Sequence, residues 1–178
     1  NIEKVQENKL IFEHEEVDVS SLMYSRKRKI LTGINYTVAK TKRVFFDDWR
    51  ENIQNKLEVK LPGYEVGITS FSKDETKAVV VTYSDKSRGT YYYYDIEKDE
   101  LTDLGKVSPW LNEDHMAQME PIKYTSRDGL TIHGYLTLPK GSTGKNLPIV
   151  VNPHGGPWAR DNWGDSSQVQ FLVKRGFG

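Results

Sequence analysis

The sequence contains no cysteine, which excludes disulfide bonds, thiolate metal ligands and a cysteine nucleophile. Neither charge sign is in excess, because 25 Lys and Arg balance 25 Asp and Glu, so we expect neither nucleic acid nor a membrane surface as a partner. Apolar runs are short and none approaches the roughly 18 residues of a membrane-spanning helix. The first residues show neither an initiator methionine nor a signal peptide, so we expect the chain to begin inside a longer protein of unknown compartment.

Between residues 9 and 105 the sequence is rich in β-branched and aromatic residues, set in short runs between polar turns. Such runs are typical of β-strands. One segment differs, because Trp49, Ile53 and Leu57 follow Asp48 at helical spacing, with Glu51 three residues after that candidate N-cap. We predict a short helix there and strands at residues 9–13, 29–36, 43–46, 77–83 and 90–96.

Two of the predicted hairpins resemble each other. Tyr36, a polar turn and the run at 44–47 align with Tyr83, a polar turn and the run at 92–95, at an offset of 47 to 48 residues. A period of that size is typical of four-stranded propeller blades. This repeat favours propeller blades within residues 1–112, although aromatic hairpins that end in aspartate also arise in unrelated β proteins.

The sequence changes character after Trp110. Residues 130–138 alternate apolar and polar side chains, as in a half-buried strand, and the apolar run at 147–151 is typical of a strand buried on both faces of a parallel sheet. Residues 166–175 then place Val169, Leu172 and Val173 on one face of a helix. A strand, a glycine-rich loop and a helix begin a βαβ unit, so residues 113–178 are predicted to open an α/β domain.

The glycine-rich loop carries the motif His154-Gly155-Gly156-Pro157, just past the end of the predicted buried strand, where open α/β sheets place their ligands. Backbone amides in such a loop can stabilise the oxyanion of acyl transfer, and Pro157 keeps them out of a helix. Two glycines before a proline also form ordinary tight turns. No Gly-x-Ser-x-Gly nucleophile elbow occurs in the 178 residues.

The stretch from residue 121 to residue 176 resembles the beginning of the catalytic domain of the prolyl oligopeptidase family of serine peptidases. Within that family it is similar to the acylaminoacyl peptidase and dipeptidyl aminopeptidase-like branch. Residues 83–95 and 109–111 resemble the last propeller blades of such enzymes and their join to the hydrolase domain. The runs that carry the catalytic-domain resemblance are SRDGL at 126–130, GYLTLP at 134–139, NPHGGPWARD at 152–161 and KRG at 174–176.

This resemblance implies an α/β-hydrolase domain that cleaves short peptides or acyl-aminoacyl peptides through an acyl-enzyme, with the propeller capping the site. The Ser-Asp-His triad would lie beyond Gly178, so the chain alone is predicted to be inactive, without metal or cofactor. An esterase or lipase-like hydrolase and a non-catalytic propeller binding module are the alternatives. Oligomeric state stays open.

The motif positions take their roles from the same resemblance. The amide of Gly156, and secondarily that of Gly155, would stabilise the oxyanion, with His154 contacting substrate beside them. Arg160 and Asp161 follow closely enough to brace the loop through a charge-assisted pair, although a surface pair would look the same in sequence. The residues assigned to structural support are therefore Pro157, Arg160 and Asp161.

Overall fold

A computed structural model of the protein describes residues 10–178. These residues belong to two compact units, which divide between Arg50 and Glu51. Within the described residues, most of the regular structure is antiparallel β-sheet, accompanied by two α-helices and a short 3-10 turn at Glu113–His115. The predicted domain boundary at 112/113 lies inside the second unit and stays a prediction.

The first unit contains a three-stranded antiparallel sheet in the order β1-β2-β3, with β1 at Val19–Ser25, β2 at Ile30–Thr37 and β3 at Thr41–Phe45. The predicted strands at 29–36 and 43–46 are confirmed as β2 and β3. The strand predicted at 9–13 is wrong for residues 10–13, and residue 9 lies outside the described residues. Phe12 instead packs its ring on Tyr36, and the two ring centroids are 5.3 Å apart. This segment therefore contacts β2 through a side chain and not through a ladder of main-chain hydrogen bonds.

Helix α1 spans Asp48–Lys60 and confirms the predicted helix. Its first turn is capped one residue earlier than predicted, because Asp47 Oδ1 accepts the hydrogen bond from the Arg50 amide at 3.0 Å. Ile53 and Leu57 are buried, as their spacing predicted. Gln54 is buried beside them and donates from Nε2 to the carbonyl of Val66 at 2.9 Å, which satisfies a polar side chain in an apolar setting.

The second unit contains a four-stranded antiparallel sheet in the order β4-β5-β6-β7. The predicted strands at 77–83 and 90–96 are confirmed as β5 and β6, and of the tyrosines at 91–94 one is fully buried while Tyr91 and Tyr93 face solvent. Strands β4 and β7 were not predicted, because β4 mixes glycine and hydroxyl residues and β7 is charged and mostly exposed. The four strands are Glu65–Phe71, Lys77–Tyr83, Thr90–Asp95 and Glu100–Lys106.

Two further strands form an antiparallel pair, β8 at Met119–Thr125 and β9 at Thr131–Thr137. Strand β9 confirms the alternating pattern predicted for 130–138. The turn between them contains Gly129 at φ 86°, a left-handed conformation that glycine adopts at little cost. Helix α2, at Ser167–Val173, confirms the predicted helix, with Ser166 as its N-cap and Gly176 at φ 88° after its end.

The strand predicted at 147–151 is wrong as a buried ladder strand, since Leu147 is only half-buried and residues 148–151 are exposed, Val151 by 83%. Burial on both faces needs neighbouring strands and covering helices, and within residues 10–178 this segment pairs at one point alone. The Val150 amide donates to the Gly178 carbonyl at 2.8 Å and the Gly178 amide donates to the Pro148 carbonyl at 2.9 Å. These two bonds, flanking Ile149, have the pattern of a parallel pair.

Candidate functional site

The motif predicted to carry chemistry lies in the exposed segment at 152–162, between the extended residues 147–151 and helix α2. Gly156 has φ 142°, a conformation that side chains rarely adopt. A Cβ at this position would come within 2.8 Å of the Trp158 amide nitrogen, whereas one at Gly155 would meet nothing within 4 Å. The local backbone therefore demands glycine at 156 but not, on steric grounds, at 155.

The amides of Gly155 and Gly156 are available to a ligand. Across the described part of the chain, no acceptor atom takes a hydrogen bond from either of them, and both residues are exposed. The loop keeps its shape through a short-range bond instead, from the Ala159 amide to the Pro157 carbonyl at 2.9 Å. Two main-chain donors thus face solvent at adjacent positions, an arrangement that can bind an anionic oxygen.

His154 and the charged pair lie on either side of these donors. The His154 ring, when protonated at Nδ1, donates to the Gly155 carbonyl at 2.8 Å, which leaves Nε2 of the exposed ring open to other contacts. Arg160 Nε donates to the main-chain carbonyl of Asp161 at 3.4 Å. The bracing of the loop by their charged groups stays a prediction.

The segment after the loop is anchored by residues that the sequence analysis did not single out. Trp163 donates from Nε1 to the Met119 carbonyl at 2.8 Å, and Gln170 in α2 is buried among main-chain groups of other segments. Trp158, in contrast, is 99% exposed beside the two glycines. The sequence did carry a signal for Gln170, because it is a polar residue on the apolar face of the predicted helix, between Val169 and Val173.

No serine of this region has the environment of a nucleophile. Ser166 lies in the run GDSSQ at 164–168, which lacks the second glycine of a Gly-x-Ser-x-Gly elbow, and its hydroxyl accepts from the Val169 amide at 3.4 Å, so it serves as a helix cap. The neighbouring Asp165 is half-buried, and burial raises the pKa of its carboxyl, while the charge of Arg88 acts in the opposite direction. Within residues 10–178, no three metal-ligating side chains are grouped so that they could hold a metal ion. Neither helix described is long and apolar enough to cross a membrane.

Comparison with curated proteins finds similarity to a peptidase. The chain is 33% identical over 129 residues to a curated peptidase, and the aligned part covers 68% of this chain. That relative is the dipeptidyl aminopeptidase BIII of Pseudoxanthomonas mexicana, of whose length the alignment covers 19%. The chain thus spans about a fifth of the relative that it matches. No protein-family model matches the chain.

Proposed function

We propose that this chain is part of a serine peptidase of the prolyl oligopeptidase family, which hydrolyses short peptides or acyl-aminoacyl peptides through an acyl-enzyme. The observation that carries the proposal is the pair of adjacent amides at Gly155 and Gly156, which have no acceptor within residues 10–178. The similarity to a dipeptidyl aminopeptidase favours a peptide substrate over an ester.

In the proposed reaction, a serine hydroxyl supplied outside these 178 residues attacks the scissile carbonyl carbon. The carbonyl π electrons move to oxygen, and the Gly156 amide, with that of Gly155 second, donates hydrogen bonds to the resulting oxyanion. Collapse of the tetrahedral intermediate expels the amine, which leaves with the proton that a base outside these 178 residues took from the serine hydroxyl, and water then hydrolyses the ester and restores the serine. His154 Nε2, left open by the contact of Nδ1 with the Gly155 carbonyl, contacts the substrate beside this site.

The proposed division into propeller blades at 1–112 and an α/β-hydrolase segment at 113–178 is supported by one feature of each part. The four-stranded antiparallel sheet has the size of one blade, and the second unit leads from it into β8 and β9. The extended residues 147–151, the glycine loop, α2 and the parallel contact at Gly178 follow in the order of a βαβ unit.

Fluorophosphonate labelling of the full-length protein tests the proposal. We expect covalent labelling of one serine, hydrolysis of a dipeptide arylamide, and loss of both when that serine is changed to alanine. Labelling with hydrolysis of a nitrophenyl ester alone would favour the esterase alternative. Absence of labelling in a folded protein would favour a binding module, and turnover by the isolated 178-residue chain would contradict the absence of the triad from it.

Substitutions in the loop test the oxyanion assignment. Gly156→Ala places a Cβ against the Trp158 amide at a positive φ, so the loop must shift, and we expect kcat of the full-length enzyme to fall by about 100-fold or more. Gly155→Ala has open space and should cost less. Steady-state kinetics on the arylamide measure both variants, and equal losses would contradict the ranking of the two amides.

A further inference from the structure

A buried polar cluster joins helix α2 to the four-stranded sheet. Its centre is the Gln170 carboxamide, in a side chain that is 7% exposed. Nε2 donates to the main-chain carbonyls of Ala117 at 2.9 Å and Asp85 at 3.2 Å, and Oε1 accepts from the Ala117 amide at 2.9 Å. Both Nε2 hydrogens and the carbonyl oxygen are therefore engaged, which places this side chain in one orientation.

The cluster extends on both sides of Gln170. The Asp85 carboxylate, also in a residue that is 7% exposed, accepts from the Met119 amide at 2.7 Å, and Trp163 donates to the Met119 carbonyl at 2.8 Å. We call Asp85, Ala117, Met119, Trp163 and Gln170 the clasp. It connects the turn between β5 and β6, the residues that lead into β8, and the segment that contains α2.

The clasp holds one end of the proposed oxyanion loop. Residues 151–162 are all exposed, and the hydrogen bonds that residues 152–159 make within the described chain join positions no more than two apart. Local bonds fix the shape of a loop but not its place on the protein. The loop's ends contribute to that place, because Pro148 and Val150 contact Gly178 on one side, and Trp163 and α2 anchor the other side.

We propose that Gln170 is a positioning residue, which fixes the Gly156 amide relative to the sheet that carries Asp85. This role rests on the proposed function. Replacing the carboxamide leaves the buried amide of Ala117 and two carbonyls without their partner, so α2 shifts to recover hydrogen bonds. A displacement of about 1 Å at the attached loop is enough to misalign an oxyanion donor and lower the rate by about 100-fold.

Gln170→Met tests this role, because methionine has a similar length and no hydrogen-bonding amide. The variant is made in the full-length protein, with rates expressed per active site titrated by fluorophosphonate. We expect kcat for a dipeptide arylamide to fall about 10- to 100-fold while KM stays within about twofold. Gln168→Met is the matched control, since Gln168 is exposed on the same helix and its kcat should stay within about twofold of the wild type.

A transition-state analogue separates positioning from a general loss of structure. A dipeptide aldehyde forms a tetrahedral adduct whose oxygen needs the loop amides, so its affinity should fall by the same factor as kcat. The corresponding dipeptide alcohol is not attacked by the serine and carries no oxyanion, so its affinity should stay unchanged. If Gln170→Met does not fold, Gln170→Glu, which keeps an acceptor for the Ala117 amide, is measured in the same way with the same expected direction.

The outcomes distinguish this role from the function on which it rests. A lowered Tm with kcat per titrated site within twofold of the wild type would overturn the positioning role and leave a structural one. Equal losses of affinity for the aldehyde and the dipeptide alcohol would overturn it too. A wild-type protein that is neither labelled nor active would overturn the proposed function itself, and this role with it.

Discussion

The three-stranded sheet of the first unit and the four-stranded sheet of the second unit repeat one local structure with different continuations. In the first, Asp47 follows β3, pairs with Arg28 at 2.7 Å and accepts from the Arg50 amide at 3.0 Å. In the second, Asp95 ends β6, pairs with Lys77 at 2.8 Å and accepts from the Lys98 amide at 3.1 Å. The two aspartates are 48 positions apart, which matches the offset found in the sequence.

The same offset aligns other elements of the two sheets. Moved by 47 positions, β1 and β2 coincide closely with β4 and β5. The position of β7, however, corresponds in sequence to α1, so a helix follows the first aspartate where a strand follows the second. A shared turn therefore does not decide the continuation. The residues after it do, since Trp49, Ile53 and Leu57 have helical spacing whereas Asp99, at φ 58°, makes a tight turn into β7.

We expect the largest loss of stability from a cavity in the core of the four-stranded sheet. Tyr94 is 0% exposed, and its hydroxyl donates to Asp99. We expect Tyr94→Ala to lower the free energy of unfolding by about 3–5 kcal/mol, because it leaves a large cavity. Tyr93→Ala is the control. Tyr93 is 37% exposed on the other face of the sheet, so this variant should lose much less unfolding free energy. Denaturant titration measures both, and similar losses would contradict the alternation of faces.

The sequence predicted those elements whose residues have a strong period, and it missed those that depend on neighbours. Strand β5 was predicted to the residue because Val79–Val81 lie in a β-branched run, and α1 because three apolar residues share one face. The edge strands β1 and β7 were missed, since both are exposed along most of their length and neither alternates regularly between apolar and polar residues. Their partners across the sheet, not their own residues, make them strands.

The candidate site was predictable in part for the same reason. The resemblance and the glycine spacing singled out the loop at 154–157, because main-chain donors need only glycine and proline at set positions. The clasp was not predictable, since Gln170 reaches Asp85 across 85 residues and Ala117 across 53. Those contacts depend on the tertiary fold. The sequence could place Gln170 on the apolar face of a predicted helix, but it does not say which groups the side chain contacts.

A smaller effect should separate the two aspartates themselves. Asp47→Ala removes both the ion pair with Arg28 and the acceptor for the first turn of α1, so we expect a loss of about 1–2 kcal/mol in the free energy of unfolding. Asp48→Ala is the matched control, because Asp48 is exposed and its neighbour does the capping. Thermal unfolding compares the two variants. A larger loss of stability for Asp48→Ala would show that Asp48 is the N-cap, as the sequence predicted.

The smallest effect is on pH dependence and tests whether the two turns are equivalent. The hydrogen bond with Arg28 lowers the pKa of Asp47 below its ordinary 3.8, and that with Lys77 lowers the pKa of Asp95 in the same direction. Because each folded-state pKa lies below the unfolded value, both carboxylates stabilise the protein above about pH 4, and this stabilisation is lost as the pH falls through the folded pKa. Asp47→Asn and Asp95→Asn should each flatten the acid limb of the unfolding free energy measured between pH 2 and pH 7. The change for Asp47→Asn should be larger, since the Arg28 guanidinium forms two bonds with Asp47, at 2.7 and 2.8 Å. An acid limb that is unchanged in both variants would show that neither ion pair is formed.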